Sequence, residues 1–311
     1  MELRKDYILD RWVILSSSRG SRPREFKAEK LVQAGKIDYF APGHEELTPP
    51  EIGRLGGKKW KMRWFANKFP AVDKHGEAEI KTDNKYFTFA SAYGEHEIIV
   101  ETPSKTKQLT DLTVKEIKEL FKVYAQRINE IKKDDKIKYI CVFKNHGAKG
   151  GTSLIHSHSQ IISYNKVPEV IKAEVEACKK YGSCPYCEII QIERNSFRRC
   201  FENDDFVAFC PYASRFNYEI WIFPRKHLLN ITELTAEQFN SLAEIMKKSL
   251  LKLKKLGCSY NYFLHYSPQG ENLHFHIEIC PRIATWGGFE LSSETVINSV
   301  TPEDAASFYR E

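Results

Sequence analysis

The sequence predicts an α+β protein of two tandem lobes, each an antiparallel sheet with one long helix packed against it. An internal repeat carries this reading, together with an order of elements (strand, helix, strand, loop, His-x-His) that occurs twice. At 311 residues and 42% hydrophobic content, the chain can bury one large core or two modest ones without disulfides.

The repeat begins with Glu97-Ile98-Ile99-Val100 before Pro103 and Glu219-Ile220-Trp221-Ile222 before Pro224, two short β-rich runs that each end at a proline. The offset, 122 residues from Glu97 to Glu219, also carries Thr110-Asp111-Leu112-Thr113 onto Thr232-Glu233-Leu234-Thr235. Each of these quartets reads as a helix start, a threonine before an acidic residue. Behind them, Ile117, Leu120, Phe121, Tyr124, Ile128 and Ile131 form one helical stripe, and Phe239, Leu242, Met246, Leu250 and Leu253 form the other. The runs Tyr139–Phe143 and Tyr260–Leu264 follow as strands, each leading through a Gly-containing loop to a strand with His-x-His. The lobes are therefore placed at 1–172 and 173–311, with the boundary in the charged stretch Glu169–Tyr181. Residues 16–60, rich in Gly, Pro, Lys and Arg, read as loop and turn.

No apolar run is long enough to span a bilayer, and charges stand at Met1–Asp10 where a signal peptide needs an apolar stretch. Neither a membrane nor secretion is expected. Eight scattered cysteines with a single close C-x-x-C pair fit a reducing cytoplasm better than a disulfide framework. The net charge of +6 is spread among interleaved acids and bases, so no nucleic-acid partner is expected. A modest positive surplus suits a small phosphorylated substrate.

The segment Gly147-Ala148-Lys149-Gly150-Gly151-Thr152-Ser153 feeds a strand that places His156, His158 and Gln160 on one face. Loop N–H groups of this kind can form a concave anion site. A neutral imidazole beside bound phosphate can attack phosphorus, splitting one displacement into two easier ones. Its attacking nitrogen must be bare, so the other must donate, most simply to a backbone carbonyl. Gln160 offers an amide for a phosphate oxygen. The spacing alone fits half-buried strand histidines or metal ligands equally well.

The segments Arg11-Trp12-Val13-Ile14-Leu15, Pro42-Gly43-His44-Glu45, Arg63-Trp64-Phe65-Ala66-Asn67-Lys68-Phe69-Pro70, Phe143-Lys144-Asn145-His146-Gly147, His156-Ser157-His158-Ser159-Gln160 and Gly288-Phe289-Glu290 resemble the galactose-1-phosphate uridylyltransferase family, a branch of the histidine-triad superfamily. The resemblance covers essentially the whole chain and implies two tandem histidine-triad-like lobes. It implies that His158 is the nucleophile, supported by His156, with Ser153 and Gln160 on the transferred phosphate. It further implies that Asn67, Asn145, Gly147 and Gly151 line the nucleotide site, that Phe289 and Glu290 contact the sugar, and that the protein is a homodimer.

Cys184 and Cys187 supply two thiols at knuckle spacing, and the second lobe adds His227 and His274, a donor set suited to one structural zinc. A buried thiol pair, or His276 in place of His274, is the alternative. Glu174, His265 and His276 form a further candidate metal or polar group, and one metal cannot easily use both sets. In the first lobe the family often has a C-x-x-C and a ligand histidine. Asp38, Ala41 and Lys105 stand at those positions here, leaving only His156, so zinc is not expected there.

The expected activity is uridylyl transfer between a UDP-sugar and a hexose 1-phosphate by a ping-pong route, without an organic cofactor. The alternative within the family is a phosphorylase of the ADP-glucose phosphorylase type, with inorganic phosphate as acceptor. Serine rather than proline between the two histidines, and Val296 where uridylyltransferases carry a sugar-contacting glutamine, speak for the alternative. A non-catalytic nucleotide-binding protein and a nucleotide hydrolase are the remaining readings.

Overall fold

A computed structural model describes residues 1–21 and 37–311. The first half contains β1 (Glu2–Lys5), β2 (Trp12–Leu15), β3 (Glu51–Leu55), β4 (Met62–Ala66), β5 (Lys81–Thr82), β6 (Thr88–Phe89), β7 (Gly94–Val100), α1 (Val114–Ile131), β8 (Tyr139–His146) and β9 (His158–Tyr164). The second contains α2 (Glu169–Lys179), α3 (Pro185–Arg194), β10 (Arg199–Glu202), β11 (Phe206–Phe209), β12 (Ile220–Pro224), α4 (Ala236–Leu256), β13 (Tyr260–His265), β14 (His276–Pro281), α5 (Gly288–Ser293), β15 (Val296–Asn298) and α6 (Pro302–Arg310).

The expected α+β organisation is present, but the two sheets are fused. One ten-stranded antiparallel sheet runs β3-β4-β7-β9-β8-β13-β14-β12-β11-β10, a palindrome about the β8–β13 pair. The seam holds Phe143 against Phe263, Lys144 against Tyr262, and Asn145 against Asn261. Pairing the two inner edges satisfies backbone groups that separate sheets would leave open.

Each long helix follows a short 3₁₀ turn after two intervening residues, the second of which, the last of each repeated quartet, is the cap. The Thr113 hydroxyl accepts from Glu116 N–H, and the Thr235 hydroxyl from Gln238 N–H. In both cases the third residue reaches back to close a capping box. α4 ends at Gly257, with φ +60°, a C-terminal cap that glycine adopts without strain. The stripes read from the sequence are buried on both helices. Each such aliphatic side chain contributes about 1.5–3 kcal/mol. α1 and α4 pack against each other on one face of the sheet, and a single core spans both halves.

The boundary stretch expected at 169–181 is mostly helix α2. Glu174 on this helix pairs with His265 at 3.0 Å. In the stretch 16–60, β3 forms an edge strand where only loop was expected, and part of that reading, 22–36, lies outside the described residues. A small sheet, β1-β2-β15, joins the two ends of the chain through a parallel β2–β15 pair. Among the described residues no helix is long and apolar enough to cross a membrane.

Candidate active site

His158 opens β9 on the sheet face opposite α1 and α4. His156 lies just ahead of the strand rather than on it. The His158 Nδ1–H donates to the His156 carbonyl at 2.8 Å, which leaves Nε2 as the bare nitrogen. The ring is 6% exposed and meets the edge of Phe40 at 5.4 Å between centroids. Burial, followed by the nearby Lys144 ammonium, lowers its pKa to about 4, so the neutral ring prevails at pH 7.

Beneath this residue, on the helix face, a closed polar network holds the strand. Lys144 Nζ donates to Glu101 at 2.7 Å, to the Ser157 hydroxyl at 3.1 Å and to the His158 carbonyl at 2.9 Å. Glu101 also accepts from the Ser157 and Ser159 hydroxyls. Tyr124 of α1 donates to Ser159 at 2.6 Å and meets Tyr262 of β13. All of these groups are buried, so loss of any one strands the others without water.

His156 has both ring nitrogens on acceptors, the Asp38 carboxylate at 3.0 Å and the Thr102 carbonyl at 2.7 Å. Asp38, read from the sequence as a lost metal ligand, is thus a partner of the histidine that remains.

Two side-chain amides share the sheet face of His158. Gln160 Oε1 accepts from His96 Nε2 at 2.8 Å. His96 must donate there, because its Nδ1 accepts from Ala71 N–H at 3.1 Å. The Gln160 NH₂ is then turned away from the protein as a donor. Asn145 lies two residues beyond Phe143, the partner of Gln160 and the last β8 residue paired with β9, and so sits on the sheet face of His158. Asn145 Oδ1 accepts from Asn261 Nδ2 at 2.8 Å, so its NH₂ is likewise presented as a donor. Asn261 also donates to Gly150 O at 2.7 Å and accepts from Arg282 at 3.1 Å.

Other expected site residues are placed less simply. Asn67 Oδ1 caps a turn through Phe69 N–H at 2.9 Å, while its Nδ2 lies 3.1 Å from His96 Nε2, beside Gln160. Gly147 and Gly151 take φ +76° and +81°. A Cβ at Gly147 would meet Ser259 Oγ at 2.2 Å, so this loop docks on the second half only with glycine there. The N–H groups of Gly150, Gly151 and Thr152 are spent on carbonyls within the loop, so the expected anion nest does not include them. Ser153 is exposed. Glu290 caps its own helix through Gly287 N–H, and neither it nor Phe289 lines the cavity next to Asn145.

In the second half, His276 repeats the device of His158, its Nδ1–H donating to the His274 carbonyl at 2.9 Å. There the ring is sealed, stacked on Phe223 at 4.6 Å and flanked by Tyr186 of α3. It belongs to a buried group with Glu174, His265 and Glu278. Cys184, Cys187, His227 and His274 form a separate group, with all four ligand atoms within 4.8 Å of one another. The two sets therefore share no residue. Cys187 Sγ lies 3.4 Å from His227 Nδ1 and 3.6 Å from His274 Nδ1. Tetrahedral zinc, with Zn–S about 2.3 Å and Zn–N about 2.0 Å, has S···N edges of roughly 3.5 Å. The far ring nitrogens already face oxygens, His227 the Asn272 amide at 2.7 Å and His274 the Pro224 carbonyl at 3.0 Å. That arrangement leaves Nδ1 of each ring as the donor atom.

Residues 2–168 match the family model described as galactose-1-phosphate uridyl transferase, N-terminal domain. The chain belongs to the galactose-1-phosphate uridylyltransferase family. Residues 183–282 match a second model, described as scavenger mRNA decapping enzyme C-term binding. The chain is 33% identical to ADP-glucose phosphorylase of Arabidopsis thaliana, covering 100% of this chain and 92% of the relative. It is 28% identical to the galactose-1-phosphate uridylyltransferase of Thermotoga maritima, covering 100% and 98%. Among solved structures it is similar to the Arabidopsis thaliana ADP-glucose phosphorylase with bound ADP-glucose (TM-score 0.87, 32% identity, 100% and 98% coverage). These relatives place the family member among enzymes of sugar-nucleotide chemistry.

His96, Glu101 and Lys144 were not singled out from the sequence as site residues. The alternation His96, Ile98, Val100 on β7 does put His96 on the face of Gln160, the one local signal available. Because burial drives the low pKa of His158, the unfolded chain binds a proton on this ring between about pH 4 and 6.5 that the folded protein does not. The ring therefore costs stability as pH falls through that window and costs nothing above it. A histidine-selective NMR titration is expected to show His158 protonating near pH 4. Titration near the free-imidazole value of about 6.5 contradicts the enclosed neutral ring.

Proposed function

We propose that the protein transfers a nucleoside monophosphate from a nucleoside diphosphate sugar to a phosphate-bearing acceptor through a covalent intermediate on His158. The observation that carries this is one neutral imidazole, anchored through Nδ1, sharing its sheet face with two side-chain amides whose oxygens are already engaged. Nε2 attacks the α-phosphorus, the P–O bond to the sugar 1-phosphate breaks, and the acceptor reverses the step. The amides of Gln160 and Asn145 are set to take up charge on the phosphoryl oxygens without reorganising. Asn67, Gly147, Gly151 and Ser153 border the nucleotide in this reading, His156 steadies the nucleophile, and Phe289 and Glu290 meet the sugar.

Uridylyl transfer to a hexose 1-phosphate is the type expected first from the sequence. Phosphorolysis by inorganic phosphate is the second, and the likeness to ADP-glucose phosphorylase favours it. Both follow the same double displacement. A homodimer in the cytoplasm belongs to the same proposal. We also assign a structural zinc to Cys184, Cys187, His227 and His274, where it would tie α3 to the loops flanking β12 and β14 and take no part in the transfer.

Mixed with UDP-glucose or ADP-glucose and no acceptor, the protein is expected to release up to one glucose 1-phosphate per active site and stop. Full turnover should follow only when galactose 1-phosphate or inorganic phosphate is added. Steady release of free nucleoside monophosphate instead means a hydrolase, and no release with either donor defeats the proposal. For the metal, elemental analysis should find about one zinc per chain. Cys187→Ser should lose it and lower the melting temperature, and a preparation that is fully folded without zinc contradicts the assignment.

A further inference from the structure

Next to Asn145 lies a cavity of about 420 Å³, not lined by His158 itself, with a charge pattern that the transfer chemistry has not yet used. Its floor includes Asn145 and Asn261, and Lys149, Arg215 and Arg282 surround it. No carboxylate lines it. Other part-buried arginines of this protein are neutralised, Arg4 by Glu303 at 2.9 Å, Arg127 by Glu97 at 2.7 Å and Arg198 by Glu193 at 2.8 Å. Among the described residues, the three cations of the cavity form no ion pair of that kind, although the buried carboxylates of Glu219 and Glu278 lie near enough to feel the charge of Arg215.

The two arginines are held by aromatic rings instead. Arg215 and Arg282 lie 5.6 and 5.5 Å from the centre of the Phe216 ring, and Arg215 lies 5.6 Å from Trp286. Phe216 and Trp286 are themselves stacked, 5.2 Å apart and 19° from parallel. Contact with a ring face orients a guanidinium while leaving in-plane N–H donors for an oxyanion. Arg282 spends one such donor on Asn261, at 3.1 Å. Two guanidinium groups on one ring repel each other, and an anion between them relieves that cost.

Position gives the anion its identity. Asn145 lines the cavity, as does Phe143, which pairs with Gln160 two residues from His158 on the same sheet face. The cavity therefore starts where the group bonded to the α-phosphorus must lie. In the first displacement the N–P bond forms as the P–O bond breaks, and the electron pair leaves on the sugar 1-phosphate oxygen. In the second, an acceptor phosphate oxygen forms the new P–O bond and the imidazole recovers its lone pair. Both displacements are in line with Nε2, so the leaving and entering phosphates use one place.

We propose that Arg215, Arg282 and Lys149 form the subsite for this phosphate dianion, whether inorganic phosphate or a hexose 1-phosphate. The inference rests on the nucleotidyl-transfer reading for its location, but binding can be measured without chemistry. In His158→Ala protein, inorganic phosphate and glucose 1-phosphate are titrated separately by calorimetry. Arg215→Gln is expected to weaken the tighter of the two by roughly tenfold or more, the usual scale of a lost charge-assisted hydrogen bond. Lys149→Gln should act in the same direction, and the remote Arg199→Gln should change nothing. Arg215 makes no side-chain hydrogen bond within the described chain, so its substitution tests the site even if Arg282→Gln fails to fold. Tighter inorganic phosphate supports a phosphorolytic acceptor, and tighter glucose 1-phosphate a sugar phosphate. Unchanged affinity in Arg215→Gln, or no binding of either anion, overturns the subsite. If phosphate binding depends on Arg215 while nucleotide sugars leave no adduct on the wild type, the transfer reading fails and the subsite stands.

Discussion

The pairing of β8 with β13 is the contact on which the architecture turns. Each half has an inner strand edge that would otherwise expose unpaired amides and carbonyls, and joining them makes one sheet with one core. The join also has a chemical consequence. It sets Asn261 against Asn145, so a second-half residue orients an amide on the sheet face of His158, the proposed nucleophile, and Arg282 in turn orients Asn261. Gly147 approaches Ser259, just ahead of β13, and Gly150 approaches Tyr260 of β13 too closely for any Cβ, which brings the loop before His158 under the same control. The halves thus form one structural unit even though each repeats the topology of the other.

Duplication left two copies of one local device and two different surroundings. In both, a histidine donates from Nδ1 to the carbonyl two residues earlier. Around His276, Tyr186, Phe223 and the carboxylates of Glu174 and Glu278 close over the ring. Around His158, buried at 6% exposure rather than sealed, Phe40 meets the ring edge-on and Gln160 presents an amide able to donate. What distinguishes His158, the proposed nucleophile, from the sealed ring of His276 is here the covering layer, since the backbone arrangement is the same.

The parts of this arrangement visible in the sequence are those governed by local periodicity. The stripe from Ile117 to Ile131, the threonine-capped starts and the strands around Tyr139 and Tyr260 all reflect contacts that recur every two to four residues. The Cys184–Cys187 spacing and its histidines were legible for a similar reason, because metal geometry restricts ligand spacing. Partnerships between distant residues leave no such trace. His96 meets Gln160 across 64 positions and Asp38 meets His156 across 118. The fused sheet, the closed Glu101–Lys144 network and the unpaired arginines at the cavity arise only when strands are set side by side. The loop at Gly147 shows the converse error, since its glycines suggested an anion nest whereas three of its N–H groups bond inside the loop.

The account stands or falls on whether the α-phosphorus becomes bonded to the imidazole of His158. The most direct measurement is peptide mass mapping of protein quenched at alkaline pH after brief exposure to UDP-glucose or ADP-glucose. One nucleoside monophosphate on the peptide containing His158, removed when acceptor is added before the quench, is the predicted result. Sustained transfer with that peptide unmodified, or with the label on another residue, would contradict it.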